Sequence, residues 1–243
     1  MKIAEIYDIL DEISPFELQE AWDNSGLLIG SAEREISRIV LSLDIDEEMI
    51  RQFGENSLFI LHHPPIFGKL SKLDFSEYPS NLIEKLILSG SSVIAMHTNF
   101  DKTHLNRYVF REILGLQIDR ESDFICEARV QWSLEDAKRI VSEAFGLEYL
   151  KIVSPKERIE KVALTTGSGA SLMGMTDADC FLTGDIKYHD AMEAMSRGLM
   201  MIDIGHYESE RFFAPLLYDE LKNLPISVII AQSKNPFQIE YMK

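Results

Sequence analysis

Four of the chain's six histidines stand directly behind short apolar runs. His62 and His63 follow Leu58 to Leu61, His97 follows Ser92 to Met96, and His206 follows Leu199 to Ile204. Two of them carry a carboxylate four residues on, His97 with Asp101 and His206 with Glu210. Imidazole and carboxylate without thiolate suit a borderline or hard divalent ion such as iron, zinc, manganese or magnesium. Neighbouring strand residues point to opposite faces, so His62 and His63 reach two adjacent ions more readily than one. Pro64 holds His63 in extended backbone. If the chain after Gly205 is helical, His206 and Glu210 share a face. Each pair alone also fits a plainer picture: an exposed loop at 62–63, an Asp101 helix cap beside a half-buried His97, and a surface pair at His206 and Glu210. Together they point to a metal site, and two ions about 3.5–4 Å apart can activate water for hydrolysis.

Two other segments could carry chemistry. Thr166-Gly167-Ser168-Gly169-Ala170 lies between a strand and a helix, where backbone amides can cradle an anion or where glycine simply permits a tight turn. Thr183 to Asp190 holds His189, a candidate general acid or base or a solvent-facing residue. His104, on a helix past Asp101, reads as structural.

The elements that must position these residues follow a βαβ rhythm. Ile3, Ile6, Ile9, Leu10 and Ile13 mark an amphipathic helix, and Ser14-Pro15 reads as the cap and first residue of another. Residues 38–44, 58–61 and 92–96 are buried-strand runs separated by helical stretches at 47–53 and 80–89. A helix is expected at 105–114, and the pattern weakens over 117–130 before a helix at 133–145. Strands follow at 161–166, 178–183, 199–204 and 226–230, with helices at 170–175, 188–197 and 207–222, the last kinked by Pro215. A boundary near residue 125 divides the chain into an N-terminal α/β lobe, 1–125, and a C-terminal α/β lobe, 126–243.

Composition narrows the functional classes. The 243 residues are 46% hydrophobic and 9% aromatic, enough for a substantial core. With 24 Lys and Arg against 40 Asp and Glu, the net charge of −16 and the lack of any basic run disfavour nucleic acid and acidic membranes as partners. No stretch approaches the roughly 18 apolar residues needed to span a bilayer. The start has no signal-peptide pattern, and Cys126 and Cys180 stand apart from any CxxC motif, so a reducing, cytoplasmic location is expected.

The segments AWDNSGLLIG (21–30), HHPPIFG (62–68), HTNFD (97–101), TTGSGAS (165–171), TGDIKYHDA (183–191) and GHYESE (205–210) closely resemble the Nif-three-like family, often named GTP cyclohydrolase I type 2. The resemblance spans nearly the whole chain with its motifs in order. It implies two similar α/β lobes with mostly parallel sheets flanked by helices and a dinuclear metal site in the cleft between them. It implies two divalent ions held by His62, His63, Asp101, His206 and Glu210, with Glu210 bridging and His97 beside the site as an extra ligand or proton-transfer group. It further implies a toroidal homohexamer, and a minimal form without the domain many relatives insert mid-chain. The implied reaction opens the imidazole ring of GTP by hydrolysis, releasing formate and 7,8-dihydroneopterin triphosphate, with His97 or His189 protonating the leaving nitrogen. Another nucleotide or phosphoester hydrolase, or a non-enzymatic metal-binding, ring-shaped interaction protein, would use the same residues. Lys187, Arg107 and Arg211 are the cations nearest in sequence for a triphosphate.

Overall fold

Ile3, Ile6 and Leu10 fall on one side of a helix of 3.6 residues per turn, and in the computed structural model, which describes residues 1–240, helix Ile3–Ile13 buries all three completely. Ser14 caps its C-terminus, and Asp11 accepts the Phe16 amide; the next helix is a single 3₁₀ turn, Phe16–Leu18, with Pro15 rather than Ser14 at its N-cap position. The strands in chain order are β1 Gly26–Ile29, β2 Arg38–Ser42, β3 Ser57–Leu61, β4 Ser92–Ala95, β5 Arg120–Ser122, β6 Ile125–Ser133, β7 Lys151–Val153, β8 Arg158–Leu164, β9 Cys180–Thr183, β10 Met200–Asp203 and β11 Ser227–Ile230.

The chain divides into two units, one formed by Met1–Phe100 together with the segment from Phe213, the other by Asp101–Phe212. The division therefore falls at Asp101 and again at Phe213, whereas the sequence reading sets one boundary near residue 125. The difference arises because β11 returns to pair with β2 as the last strand of the first sheet.

In the first unit the strand order is β1-β4-β3-β2-β11, parallel except for β1 on β4. Every residue of β3 and β4 is buried, as expected of strands covered on both faces. Val40, Phe59, Leu61 and Val93 face one side, packed with Met49 and Ile50 of helix Glu47–Phe53 and Leu82, Ile83 and Leu86 of helix Ser80–Leu88. Helix Phe213–Leu221 packs against β2 and β11. Side chains such as Phe59, at 0% exposure, contribute about 1.5–3 kcal/mol each by burial.

In the second unit the order is β5-β6-β8-β9-β10-β7. Only β8–β9 and β9–β10 are parallel, so the expectation of mostly parallel sheets fails here. The cause is a hairpin: Asp123, at φ 43°, and Phe124 turn β5 directly into β6. The outer half of β6 alternates between exposed and half-buried residues, which weakens the hydrophobic pattern of 117–130. Ala163, Phe181 and Met201 form the core with Ile125, Met173 and Ala194. Both units are thus α/β, each a sheet flanked by helices, and they share a topology. Three parallel strands, β2-β3-β4 in one and β8-β9-β10 in the other, carry an antiparallel strand from just upstream, β1 or β7, on their last member.

The expected helix over 207–222 is two helices, His206–Glu210 and Phe213–Leu221. Pro215 does not kink a continuous helix. It sits in the first turn of the second one, where its missing N–H costs no intrahelical bond. The expected helix at 170–175 is a 3₁₀ turn, and the expected helix at 105–114 belongs to a run that starts earlier and holds π-helical turns at Asp101–Leu105 and Val109–Ile113. No described helix is long and apolar enough to cross a membrane.

Candidate metal centre

The parallel strands of the first unit deliver three imidazoles from their carboxyl ends, where open α/β sheets place their ligands. His62 and His63 leave β3, and His97 follows β4. Ligand nitrogens of the three lie within 4.8 Å of one another. His62 is fully buried against Phe213, ring centroids 5.0 Å apart, and its ring lies 5.1 Å from His63 and 5.2 Å from His97.

Each ring is held at Nδ1. His62 Nδ1 lies 2.9 Å from the Met96 carbonyl, His63 Nδ1 2.8 Å from Asp44 Oδ1, and His97 Nδ1 2.7 Å from Asp23 Oδ1. A carbonyl can only accept, so His62 must donate from Nδ1, which leaves the lone pair on Nε2; the two carboxylates select the same tautomer in His63 and His97. Asp23 is the most enclosed of these partners, its side chain fully buried. Burial opposes its ionisation. The His97 hydrogen bond and charge, the Thr98 hydroxyl at 2.5 Å and the Asn24 amide at 2.7 Å outweigh burial and hold the carboxyl far below the usual carboxylate range. Ser25 ties the arrangement together, its hydroxyl donating to Asp23 and accepting the His97 amide.

The second unit presents its own set. His206 and Glu210 occupy the two ends of one short helix, Nε2 2.9 Å from Oε2. His206 Nδ1 faces Asp185 Oδ2 at 2.7 Å, with Asp185 just beyond β9 at φ 54°. Nε2 and Oε2 at that separation are close enough to share a proton or to ligate one metal ion. A carboxylate oxygen of Asp101, the first residue of a π-helical turn, lies within 4.8 Å of one of Glu210's. Asp101 and Glu210 are both buried. π turns recur at functional positions. Asn106 holds this one in place, donating to the Asp101 carbonyl and accepting the Thr166 amide and hydroxyl.

The loop 166–169 does not cradle an anion with the amides described here. The Thr166 amide donates to Asn106, that of Gly167 to Ser209 Oγ at 3.0 Å, and that of Gly169 to Thr183 Oγ1. Gly167 serves Glu210 instead. At φ 62° its Cα faces the carboxylate, and a Cβ there would overlap Oε1 and lie 3.0 Å from Cδ and 3.6 Å from His206 Nε2. The space a side chain would fill is kept for two donor groups. Nitrogen and oxygen donors, tautomers fixed from behind and a glycine-cleared approach together fit a divalent cation, so these buried His and carboxylate clusters could hold metal ions.

The remaining candidates lie apart. His189 is exposed on the first turn of helix Tyr188–Arg197, its ring edge-on to Tyr188, and belongs to neither cluster. His104 Nδ1 lies 2.8 Å from the Thr103 hydroxyl. Arg107 pairs with Glu121 and the Thr103 carbonyl, and Arg211 lies over the Phe212 ring. Sequence reasoning missed Asp44 and Asp185 as histidine partners, and Asp23 although it lies within a quoted motif. It also missed Lys151, whose ammonium is raised in pKa by Asp203 at 3.2 Å, against the opposing effect of burial.

Two α/β units with histidine and carboxylate clusters at their strand ends define an α/β protein whose side chains could hold metal ions. A family model described as Duf34/NIF3 (NGG1p interacting factor 3) matches residues 1–236, and the chain belongs to that family, as the resemblance indicated. It is similar to the GTP cyclohydrolase 1 type 2 homolog of Campylobacter jejuni, 48% identical over 239 residues that cover 98% of this chain and 99% of the relative. It is also similar to the GTP cyclohydrolase 1 type 2 of Helicobacter pylori strain J99, 41% identical with 98% of each covered. The crystal structure of the Staphylococcus aureus hypothetical protein SA1388 superposes with a TM-score of 0.84 at 27% identity, 99% of each chain being covered.

Proposed function

We propose that this chain is a dinuclear-metal-dependent hydrolase of the GTP cyclohydrolase I type 2 kind, converting GTP and water to formate and 7,8-dihydroneopterin triphosphate. In this reading His62, His63, Asp101, His206 and Glu210 from the two units hold two divalent ions in one centre. The observation that carries it is that His62, His63, His97 and His206 all have Nδ1 committed to a carbonyl or carboxylate. The names of the Campylobacter and Helicobacter relatives support the choice of substrate. When bound, the ions would supply Lewis acidity and a water acidic enough to act as nucleophile near neutral pH. The chain's own contribution is orientation and proton transfer. His97 takes or gives a proton at Nε2 while buried Asp23 fixes its ring, and exposed His189 is the second candidate acid–base group. A homohexamer in the cytoplasm is part of the same proposal.

The committed amides of Thr166, Gly167 and Gly169 favour a second reading in which the centre hydrolyses another nucleotide or phosphoester, since they supply no triphosphate cradle. The test is to load the protein with iron, zinc, manganese or magnesium, add GTP, and measure formate and pterin fluorescence. The proposal expects both products, with turnover lost in His63→Ala and Glu210→Ala while the oligomer seen by sedimentation persists. Absence of formate with every metal would refute the cyclohydrolase reading. A partner protein still bound by both variants would favour an interaction protein instead.

A further inference from the structure

Two large aromatic rings stand exposed beside the histidine cluster of the first unit, Trp22 at 58% and Phe67 at 53% exposure. Their centroids are 5.9 Å apart, and they lie 6.2 and 6.0 Å from the His97 ring. Exposed aromatic surface is unfavourable in itself, yet these rings are carried on segments pinned by polar contacts. Asn24 donates to the Ile66 carbonyl at 2.5 Å, joining the turn that bears Trp22 to the loop that bears Phe67. Gln19 holds the same turn from its other end, accepting the Ser25 amide at 2.8 Å and donating to the Phe16 carbonyl. The buried Asp23 next to Trp22 anchors both the turn and His97. The rings are therefore displayed in fixed places, and a ligand meeting them would lose little of its binding energy to ordering the protein.

We propose that Trp22 and Phe67 form a stacking subsite for a planar nitrogen heteroaromatic ring, the base of a nucleoside-type substrate, adjacent to His97. Three observations select this occupant. The surface is aromatic rather than aliphatic, and the π-face of any base can stack on it. A chain of net charge −16 gains little from gripping phosphates, so affinity must come from the uncharged part of the ligand. The subsite is continuous with His97, His62 and His63, whose ring centroids lie 5.1 to 5.7 Å apart pairwise, so a stacked ring is presented to the groups assigned to the chemistry. The proposal rests on the hydrolase reading in taking those histidines as the reacting end of the site.

The test uses the metal-loaded full-length protein and two probes, guanosine, which lacks phosphate, and tripolyphosphate, which lacks a base. In a Trp132→Phe background Trp22 is the sole tryptophan, and guanosine should quench its fluorescence. Trp22→Ala and Phe67→Ala, followed by calorimetry, should weaken guanosine binding roughly 5- to 100-fold, the range for loss of one stacking partner. Trp22→Phe should recover much of that loss, and tripolyphosphate binding and metal content should stay at wild-type values. Equal guanosine affinity in all variants would overturn the subsite, as would the absence of guanosine binding to the wild type. A change of sedimentation state in Trp22→Ala with guanosine affinity intact would assign the rings to contact with a second copy and would also overturn it. The two readings fail separately. Wild type that makes no formate but loses guanosine on Trp22→Ala refutes only the cyclohydrolase, whereas formate production with unchanged KM in Trp22→Ala and Phe67→Ala refutes only the subsite.

Discussion

Adding one methyl group at Gly167 should disable the Glu210 end of the proposed metal cluster without unfolding the second unit. A Cβ at this position would lie 3.0 Å from Glu210 Cδ and overlap Oε1. Carbon atoms pack best at about 3.5–4.0 Å, so the carboxylate must withdraw by roughly 0.5–1 Å, and its oxygen nearest the methyl by more. Left-handed backbone, here φ 62°, adds roughly 1–2 kcal/mol for any residue with a Cβ. Backbone strain and carboxylate displacement can be separated with a second variant. Gly198 has nearly the same φ, 64°, and a Cβ there would meet no atom within 4 Å. Gly198→Ala therefore carries the strain alone. Both variants should lose roughly 1–2 kcal/mol in urea unfolding. Only Gly167→Ala should lose metal affinity, by roughly 10- to 100-fold, the scale on which displaced supporting groups act at metal sites. Metal content by mass spectrometry after titration against a chelator measures this directly. If Gly167→Ala holds metal as tightly as Gly198→Ala, the reasoning that glycine clears the approach to Glu210 is refuted.

Removing the carboxylates behind the rings should act in the same direction. Asp44→Ala and Asp185→Ala, which free Nδ1 of His63 and His206, should each weaken metal binding roughly 10- to 100-fold in the same competition assay with the circular dichroism spectrum retained. Ser209→Ala strips the buried Gly167 amide of its acceptor and should cost about 1–3 kcal/mol in urea unfolding. Cys126 and Cys180 are buried thiols pushed up to about 12 chiefly by burial, so a thiol-titrating disulfide reagent at pH 8 should leave both unmodified in native protein and label two per chain in urea.

What the sequence reveals of this protein divides along the physics of each feature. Strand and helix positions such as 47–53, 188–197 and the runs feeding β3, β4 and β10 were legible because burial on both faces writes a continuous apolar run and a helix writes a 3.6-residue period. The histidines and carboxylates were legible because they interrupt those runs at a strand's end. The hairpin β5–β6 was not, since its exposed half loses the apolar signal, and neither was the return of β11 to the first sheet, which depends on a pairing partner nearly 190 positions upstream.

The aspartates behind the histidines were illegible for a related reason, and the sheets show what would have found them. In a parallel pair the strands run in register, so residues equally far past paired positions come out side by side. β2 and β3 pair Ser42 with Leu61, and two residues beyond each stand Asp44 and His63, which bond. β9 and β10 pair Thr183 with Asp203, and two and three residues beyond stand Asp185 and His206, which also bond. The two pairs are 19 and 21 residues apart in sequence, about one strand–helix–strand crossover. Periodicity reports the face of a single strand but not its register against a neighbour, so the candidate ligands were visible and their supports were not. The same device, a carboxylate at the end of one parallel strand steering an imidazole at the end of the next, appears once in each unit, between the first and second of the three parallel strands in one and between the second and third in the other. That placement makes the support a consequence of register, and substitutions that shift the β2–β3 or β9–β10 pairing would release a histidine without touching it.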